Sequence, residues 1–514
     1  MQSRRLDVLF VIPAALSQVY QSLAKDHAIE PPAKARFMAS YLMHRGYGVD
    51  LIDAAITGHT PETMAKEVGL RSPKLMVIPV FGYNPSSSTH TMPAARAFAQ
   101  AVRDLCPEIP IMMTGTHPAA LPERTLREEP VDFVCGGEGP ITVHELLQAF
   151  DAGRSESDLD KVRSLWRLKS DGSVMCGFAA PLIDLNEEPV SKEAWRLMDP
   201  RLYRAHDWHS FYRPYAERGP YANPYSREGC PFSCGFCNIQ APFREGESLL
   251  PSRKNSFRDL RPELFVEELE FLVHEFGVRY VKVPDEMFGA GDHPLQIAKL
   301  VAERFGDSLN FWCYYRVDTC QPRHAELLRK AGFRWLGLGI EAANSTVRSG
   351  QEKGFKDERI HDVVERLHGA GIEVGANFIF GLPGETMQSM EETRRLAFEL
   401  NTAFANFYCN QALPGSPQYV EAVKAGYPLP EREGGPGWIG HSQFSCESEP
   451  FFNGTALTPA NILQFRDTTH LAYYQRPEYF ARLRSDPKFG RIALLTIARW
   501  MAEVASLERD LLRA

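Results

Sequence analysis

The sequence lacks the features that define several common classes of protein. No apolar stretch in its 514 residues reaches the roughly 18–20 residues that cross a bilayer, so we expect no membrane span. The net charge is −8 and no long basic run occurs, which argues against a nucleic-acid partner. The apolar run Val8–Ile12 has only the length of a strand and lacks the small-residue end of a signal peptide. We therefore expect a cytoplasmic protein.

Cysteine is also scarce, but three of the ten cysteines lie close together. Cys230, Cys234 and Cys237 have the spacing C-x3-C-x2-C. No close fourth Cys or His follows them, as structural zinc normally requires, and a disulfide would need a partner and an oxidising compartment. Three thiolates on one loop can hold three irons of a cubane cluster and leave the fourth iron open. We therefore predict that these cysteines bind a [4Fe-4S] cluster.

The cysteine motif resembles that of the radical S-adenosylmethionine enzymes. Phe236 fills the aromatic slot that this family usually has before the third cysteine. The resemblance implies that S-adenosylmethionine chelates the open iron beside Phe236 and is cleaved reductively to a 5′-deoxyadenosyl radical.

Short strands alternate with helices at the beginning of the chain. The predicted strands are 6–12, 49–52, 75–80, 111–114 and 131–134, and the predicted helices are 32–45, 62–68, 92–105 and 141–152. This alternation predicts an α/β fold with a parallel sheet covered on both faces. Ligands of such sheets bind beyond the carboxyl ends of the strands.

The loops after these strands offer small residues, hydroxyls and backbone N–H groups to a large polar ligand. Taken alone, they would fit a generic nucleotide-type pocket or no pocket. The stretches 114–123 and 130–139, however, resemble the cobalamin-binding domain that precedes many radical S-adenosylmethionine enzymes. The resemblance implies a Rossmann-like cobalamin-binding domain over residues 1–152. It also implies cobalamin contacts from Ser86, Ser87, Gly115, Thr116, His117, Gly137 and Glu138.

One position departs from the usual corrinoid pattern. Corrinoid proteins of the methionine-synthase type have the motif D-x-H-x-x-G, whose His binds the lower face of cobalt. The nearest match here runs from Asp53 to Gly58 and has Ala55 at the His position. We therefore expect water or no ligand on that face.

Strands and helices alternate again over residues 216–417. One strand is predicted to end near residue 227, and the others span 278–283, 310–315, 335–340, 373–380 and 403–409. The helices between them span 262–275, 294–304, 324–331, 360–370 and 387–400. Six β/α units are fewer than the eight of a full barrel. They favour the partial (β/α)6 barrel of the radical S-adenosylmethionine enzymes.

The strand ends of this barrel resemble the family's contacts to S-adenosylmethionine. These contacts are Asp285, Glu286, Arg316, Glu341, Asn377 and Gly381. The resemblance assigns the amino group to the two adjacent carboxylates, the methionine carboxylate to the arginine and the ribose to Glu341. Singly, each residue would also fit a turn or a structural ion pair, so their order after the cysteines is what supports the assignment.

Two further regions complete the predicted organisation. Residues 153–215 form a connector with a hairpin around Ser170-Asp-Gly172. Its aromatic residues suit interdomain packing better than a substrate channel. Residues 418–514 form a mainly helical C-terminal cap, with a loop at 428–440 and helices at 459–474 and 491–512. This cap could cover the barrel mouth or form a dimer surface.

Together these features predict a cobalamin-dependent radical S-adenosylmethionine enzyme that C-methylates an unactivated carbon of a biosynthetic intermediate. The alternatives are a non-methylating radical enzyme that catalyses cyclisation, rearrangement or oxidation, and a sensor without turnover. The expected partners are a small-molecule or peptide substrate and an external one-electron reductant of the flavodoxin or ferredoxin type. No motif identifies the substrate.

Overall fold

The structure is a computed structural model of the chain. It describes residues 6–16, 27–83, 87–244, 255–429 and 457–489, together with residues 494, 495 and 498. Within these ranges, none of the helices is both long and apolar enough to cross a membrane.

The first sheet has seven strands in the order β2-β1-β3-β4-β5-β6-β7. They are β1 (Val8–Ile12), β2 (Val49–Asp53), β3 (Leu75–Val80), β4 (Ile111–Gly115), β5 (Phe133–Cys135), β6 (Leu165–Leu168) and β7 (Val174–Cys176). Strands β1 to β5 pair in parallel, as predicted. All six residues of β3 are buried, as expected of a strand covered on both faces.

Helices cover both faces of this sheet. They are Ala33–His44, Ala54–Thr57, Pro61–Arg71, Ser87–Leu105, Thr116–Ala120, Pro122–Glu128, Pro140–Asp151 and Glu156–Leu159. Successive residues of a strand point to opposite faces, and β1 accordingly divides its side chains between two cores. Val8 and Phe10 belong to one apolar cluster, and Leu9 and Val11 belong to the other.

The predicted hairpin is part of the first sheet. Strand β6 pairs antiparallel with β5, and β7 pairs antiparallel with β6. The sheet therefore continues past position 152, where the sequence analysis places the end of the first domain. The Asp-Gly turn indicates a hairpin, but it does not indicate which strand the hairpin will join.

The second sheet is an open parallel half-barrel. The remaining strands are β8 (Tyr221–Ala222), β9 (Arg227–Gly229), β10 (Phe257–Asp259), β11 (Tyr280–Val283), β12 (Asn310–Arg316), β13 (Phe333–Glu341), β14 (Glu373–Phe380) and β15 (Phe404–Cys409). The half-barrel has the order β15-β14-β13-β12-β11-β8, and all its neighbours pair in parallel. This confirms the predicted fold class.

The first strand of the half-barrel is shorter than predicted. Strand β8 ends at Ala222, and residues 227–229 instead form β9, which pairs antiparallel with β10. Pro224 lies between the two segments, and proline cannot donate a ladder hydrogen bond. The cysteine loop therefore begins from a separate two-stranded ribbon.

Helices pack on the outside of the half-barrel. They are Pro262–Phe276, His293–Phe305, Pro322–Lys330, Ser345–Ser349, Asp357–Gly369 and Met387–Leu400. The short helices Lys192–Arg196 and Ala241–Arg244 lie in the connector and after the cysteine loop. Trp208 of the connector packs edge-on against Trp312 and Trp335 of the half-barrel, in line with the predicted packing role.

The C-terminal helices Pro459–Gln475 and Pro477–Ser485 cover the edge of β15, and helix Pro417–Ala425 follows that strand. Tyr473 and Tyr474 donate hydrogen bonds to Thr402 O and Ala405 O over 2.6 and 2.8 Å. The Ala405 N–H donates back to Tyr474 Oη over 3.0 Å. These hydroxyls form hydrogen bonds with backbone groups at the edge of the sheet, where no further strand pairs with them. Nearly all of the predicted helix 491–512 and of the predicted loop 428–440 lies outside the described residues.

Candidate active site

The carboxyl ends of the two sheets face one shared cavity of about 460 Å³. Its walls come from the ends of β1 to β4, the cysteine loop and the ends of β12 to β15. The sequence predicted two separate ligand regions, one at each sheet. The structure brings both regions into a single space.

The three cysteines line this cavity, and all three are free thiols. Gly229 allows the loop to begin here, because it has φ +86° and a Cβ at this position would lie 2.1 Å from Ser256 O. Cys230 is fixed from both sides of its peptide. Its N–H donates to Ser256 O over 2.9 Å, and its carbonyl accepts from Gln240 Nε2 over 2.7 Å.

The chemistry of the three thiols fits an iron–sulfur cluster. Among the described residues, no three His, Cys, Asp or Glu side chains converge as ligands of one metal ion. A cubane makes no such demand, because each thiolate binds a different iron. Burial raises the pKa of the Cys230 thiol to about 12, so without iron the thiol keeps its proton. Iron would displace that proton on binding.

The strands of the half-barrel turn alternate residues toward the cavity, as the two-residue period of a strand requires. At the carboxyl ends of β12 and β15, the intervening Tyr315 and Cys409 line the cavity as well. The residues on this face include Tyr314 and Arg316 of β12, Gly337, Gly339 and Glu341 of β13, Asn377 and Ile379 of β14, and Tyr408 of β15. Two of the three positions on β13 are glycine, so the centre of the wall has no side chain. This leaves room for a ligand beside the cysteines.

Five of the predicted S-adenosylmethionine contacts line the cavity, namely Phe236, Glu286, Arg316, Glu341 and Asn377. The other two predicted contacts, Asp285 and Gly381, do not. The structure therefore brings most of this predicted set together with the cysteines.

Asp285 points into the protein and fixes the start of the cysteine loop. It is fully buried. Its Oδ1 accepts from the backbone N–H groups of Ser226 and Arg227 over 2.8 and 3.2 Å, and its Oδ2 accepts from the Ser226 hydroxyl. The two adjacent carboxylates therefore have different roles. Glu286 faces the cavity, and Asp285 holds the backbone that leads to Cys230.

Gly381 is required for packing and does not contact the cavity. It has φ +82°, and a Cβ there would lie 2.7 Å from Ile462 Cδ1 of the C-terminal helix. A glycine-rich strand end resembles a ligand-binding turn in the sequence. Here the glycine makes room for a helix more than 80 residues later in the chain.

Arg316 and Glu341 are both held by neighbouring residues. Arg316 donates to both carboxylate oxygens of Asp318 over 2.9 and 2.8 Å, and its Nη1 lies 3.4 Å from Cys234 Sγ. Glu341 has a positive φ of +65° and forms a buried ion pair with Lys353. A Cβ on Gly339 would lie 2.5 Å from Lys353 Nζ, so this glycine makes the pair possible.

A lysine from the first domain balances the acidic groups at the mouth of the half-barrel. Lys34 forms an ion pair with Glu228, and its Nζ lies 3.9 Å from Glu286 Oε1. Burial raises the pKa of Glu286 to about 8, although the Lys34 ammonium acts in the opposite direction. Lys34 also lies over the Tyr225 ring, 4.4 Å from its centroid.

Of the predicted cobalamin residues, some line the cavity and others do not. Ser87 and Thr116 line the cavity, whereas Gly115, His117, Gly137 and Glu138 do not. Ser86 lies outside the described residues. Helix Ser87–Leu105 begins earlier than predicted and brings His90 and Thr91 to the cavity wall as well.

The residues away from the cavity have structural roles. A Cβ on Gly115 would lie 2.0 Å from Val80 O, so this glycine lets two strand ends approach each other. The buried His117 N–H donates to Ser88 Oγ over 3.0 Å. Glu138 forms an ion pair with Arg258 and accepts from the Ile183 N–H over 2.9 Å, which ties the first domain to the ribbon β9–β10.

The position that holds a histidine in the methionine-synthase type of corrinoid protein is Ala55 in this chain. Ala55 lines the cavity. Asp53 accepts from the Ala55 N–H over 2.9 Å and from Tyr203 Oη over 3.1 Å. Among the described residues, His90 is the histidine in the cavity wall, and its Nε2 lies 3.2 Å from Gln411 Oε1. Burial lowers the pKa of His90 to about 4, so the ring is neutral near pH 7.

Sequence reasoning missed several residues of the cavity wall. These are Lys34, His90, Lys353 and Asn410. Lys353 lies twelve residues after its partner Glu341, and no local pattern indicates the pair. Asn410 directly follows the last predicted strand, so its position beyond a carboxyl end was a usable signal.

Known protein families match each of the two domains that form the cavity. Residues 226–397 match the Radical SAM superfamily, and residues 23–147 match the B12 binding domain. The fold and the cysteine-lined cavity thus define a radical S-adenosylmethionine enzyme with an N-terminal cobalamin-binding domain. The chain belongs to this family of cobalamin-binding radical S-adenosylmethionine enzymes. Its cofactors are a [4Fe-4S] cluster, S-adenosylmethionine and cobalamin.

Individual proteins resemble the chain over most of its length. "Uncharacterized methyltransferase PH0819" of Pyrococcus horikoshii is 24% identical over 419 residues, which are 81% of this chain and 83% of the relative. The anaerobic magnesium-protoporphyrin IX monomethyl ester cyclase of Rubrivivax gelatinosus is 26% identical over 76% of this chain, but the match covers only 66% of that protein.

A solved structure has a similar fold. It is the radical S-adenosylmethionine methyltransferase TsrM from Kitasatospora setae, with cobalamin and a [4Fe-4S] cluster bound. The TM-score is 0.67 at 17% identity, and the match covers 92% of this chain and 89% of that one. At this identity the likeness establishes the fold alone.

Proposed function

We propose that the protein transfers a methyl group to an unactivated carbon of a biosynthetic intermediate. The observation that supports this most strongly is the single cavity of about 460 Å³ between the two sheets. Its lining includes the three cysteines and also Ser87 and Thr116 of the cobalamin-binding domain. A substrate between them would be within reach of both cofactors.

In this proposal, the cysteines hold the cluster and the half-barrel binds S-adenosylmethionine. Glu286 accepts from the amino group, and Glu341 accepts from the ribose hydroxyls while Lys353 holds its carboxylate in place. Arg316 lies between the cysteine loop and Asp318, where its positive charge suits the methionine carboxylate. When bound, the cluster supplies the electron that breaks S-adenosylmethionine into a carbon-centred radical, and cobalamin supplies the methyl group.

The remaining cavity residues position the substrate and exclude water. The aromatic wall contributed by Phe81, Tyr83, Phe232 and Phe243 is suited to keep the space apolar. An apolar wall protects a radical intermediate from competing side reactions. Each product would require two molecules of S-adenosylmethionine, and an external reductant of the flavodoxin or ferredoxin type would supply the electrons.

The test is a search for a labelled product. The enzyme is reconstituted with iron, sulfide and cobalamin under anaerobic conditions. It is then incubated with a reductant, a small-molecule extract of its source organism and S-adenosylmethionine with a deuterated methyl group. We expect 5′-deoxyadenosine together with a compound that has gained the labelled methyl group. Release of 5′-deoxyadenosine without any labelled product would contradict methyl transfer.

A second candidate is a radical enzyme of the same architecture that does not methylate. The similarity to the magnesium-protoporphyrin IX monomethyl ester cyclase supports this possibility, because the name of that relative describes a cyclisation and not a methyl transfer. The same experiment distinguishes the two, because none of these reactions adds label: an oxidation or oxidative cyclisation would change the mass of a compound, and a rearrangement would change its chromatographic retention at unchanged mass. A sensor without turnover would release no 5′-deoxyadenosine.

A further inference from the structure

A buried ion pair joins the two domains at the wall of the cavity. Lys282 of β11 donates to both carboxylate oxygens of Glu30 over 3.0 and 2.8 Å. Glu30 lies just before helix Ala33–His44 and lines the cavity. Each of the two side chains is 2% exposed. Removing two charges from water costs free energy that their attraction only partly returns, so stability alone is a weak explanation for such a pair.

The same lysine also holds a loop of the first domain. Its Nζ donates to Tyr83 O over 2.9 Å, which engages the third N–H of the ammonium group. Tyr83 belongs to the loop that follows β3, and residues 81–83 all line the cavity. Lys282 is thus a side chain of the half-barrel that fixes part of the wall contributed by the first domain.

The ammonium group of Lys282 is also held from the half-barrel side. Its Nζ lies 4.9 Å from the centroid of the Trp312 ring and 5.8 Å from that of the Tyr314 ring. Trp312 is the register partner of Lys282 on the neighbouring strand. The Tyr83 carbonyl is therefore bound to a fixed point of the parallel sheet.

The loop after β3 packs closely against a predicted cobalamin contact. Gly82 has φ +68°, and a Cβ there would lie 2.1 Å from Ser87 Oγ. Because the two residues are in such close contact, a shift of the loop displaces Ser87 as well. Ser87 lines the cavity and is one of the residues predicted to contact cobalamin. The contact to the Tyr83 carbonyl therefore influences the part of the wall that serves this cofactor.

We propose that Lys282 is a positioning residue for cobalamin: its ammonium group, held by Glu30, fixes the Tyr83 carbonyl and with it the loop that shapes the cobalamin wall of the cavity. The radical S-adenosylmethionine domain thereby helps to build the cofactor site of the other domain. The proposal goes beyond methyl transfer, because it concerns a cofactor site and requires no turnover.

Hydroxocobalamin binding to the full chain tests this role. Each protein is purified anaerobically and reconstituted with iron and sulfide. The dissociation constant of hydroxocobalamin is then measured by ultrafiltration and cobalt analysis. The variants are Lys282→Met, Glu30→Gln and the double variant that combines them. Iron per chain, the midpoint of thermal unfolding and hydrogen exchange are measured for each protein.

The double variant separates the carbonyl contact from the ion pair. Lys282→Met alone leaves a buried carboxylate without its partner and should unfold more easily. The double variant removes both charges, so we expect its thermal stability to recover and its iron content to be normal. It still lacks the donor to Tyr83 O, so hydroxocobalamin should bind about tenfold more weakly, the value of one hydrogen bond from a charged group. Hydrogen exchange should be faster at residues 81–83 and unchanged in β11 and β12.

Two controls show what the loss of an ion pair does by itself. Glu30→Gln keeps the lysine and its donation to Tyr83 O, so hydroxocobalamin affinity should stay within about twofold of the wild type although thermal stability falls. The double variant of Lys353→Met and Glu341→Gln removes the other buried lysine–glutamate pair of the cavity wall. It should leave hydroxocobalamin affinity unchanged, because neither residue contacts the loop after β3.

Several outcomes would overturn the assignment. Wild-type hydroxocobalamin affinity in the Lys282→Met and Glu30→Gln double variant would show that the lysine only joins the domains. Equal loss of affinity in Glu30→Gln, with faster exchange throughout helix Ala33–His44, would assign the effect to a loosened domain interface. A similar loss in the Lys353 and Glu341 control would show that binding responds to any change of charge in the cavity.

The remaining outcomes test the premises of the proposal. A double variant no more stable than Lys282→Met would contradict the ion pair with Glu30. Wild-type protein that binds no hydroxocobalamin would overturn the proposal directly. None of these measurements involves turnover, so failure of methyl transfer would be detected separately and would leave the role of Lys282 intact.

Discussion

The acidic pair Asp285 and Glu286 allows a sharp test of how the site is built. The two residues are adjacent in sequence, but only Glu286 lines the cavity. Asp285 accepts three hydrogen bonds from Ser226 and Arg227, just before the cysteine loop. Substitution of each residue should therefore damage a different property of the enzyme.

The expected size of the Asp285 effect follows from these contacts. Hydrogen bonds to a charged group contribute about 1.5–3 kcal/mol each. Burial raises the pKa of Asp285 to about 7, so this value applies at pH 8, where the carboxylate is charged. Asp285→Ala loses three of them in a fully buried place. Using the lower value for each, we expect about 4.5 kcal/mol of lost local stability. This corresponds to about two-thousandfold more frequent opening of the segment that leads to Cys230.

Hydrogen exchange over residues 226–237 measures this opening, and iron per chain after anaerobic reconstitution measures its consequence. We expect faster exchange and a clear loss of iron in Asp285→Ala. Asp285→Asn is the matched control, since its oxygen can still accept from both backbone N–H groups and its amide can donate to the Ser226 hydroxyl. It should keep most of the iron.

Glu286→Gln completes the comparison. Its side chain should still accept from the Gly229 N–H, a contact of 3.2 Å in the structure. We therefore expect normal iron content and normal exchange but weaker S-adenosylmethionine binding. The opposite pattern would refute the reasoning: full iron and unchanged exchange in Asp285→Ala, with loss of S-adenosylmethionine affinity, would make Asp285 a ligand contact.

Three further predictions test other parts of the structure. Lys353→Met leaves the buried Glu341 carboxylate without its partner, so we expect at least tenfold weaker S-adenosylmethionine binding, about 1.4 kcal/mol or more. The unpaired carboxylate should also lower thermal stability, and adding Glu341→Gln should restore that stability but not the affinity for S-adenosylmethionine. A double variant no more stable than Lys353→Met would argue against the Lys353–Glu341 ion pair. Tyr474→Phe removes both hydrogen bonds to Ala405, so hydrogen exchange in helix Pro459–Gln475 should reveal about 2 kcal/mol of lost local stability. Unchanged exchange there would show that the hydroxyl does not hold the helix. Iron chelation should abolish release of 5′-deoxyadenosine while cobalt stays bound, because the residues proposed to hold the two cofactors belong to different domains; parallel loss of cobalt would contradict this placement.

Local sequence patterns predicted the architecture well. The period of apolar residues gave strands such as Leu75–Val80 and Glu373–Phe380 with the observed bounds. The cysteine spacing located the loop that reaches the cavity. These features depend on neighbours within a few residues, so one sequence contains the necessary information.

Contacts between distant segments could not be predicted in this way. The hairpin around residues 170–172 was expected, but its pairing with β5 is a tertiary choice. Gly381 looked like a ligand contact because glycine suits both a ligand turn and a close helix, and only the position of Ile462 distinguishes the two. The opposite orientations of Asp285 and Glu286 likewise depend on Ser226 and on the shape of the ribbon. The same pairing carries the first sheet past position 152.

The iron and cobalt content per chain tests most directly whether the cavity between the two domains holds both cofactors. The chain is purified anaerobically, reconstituted with iron and sulfide, mixed with hydroxocobalamin and desalted. We predict about four irons and about one cobalt per chain. Folded protein that retains iron without cobalt would contradict a two-cofactor cavity. Folded protein that retains neither metal would contradict the whole account.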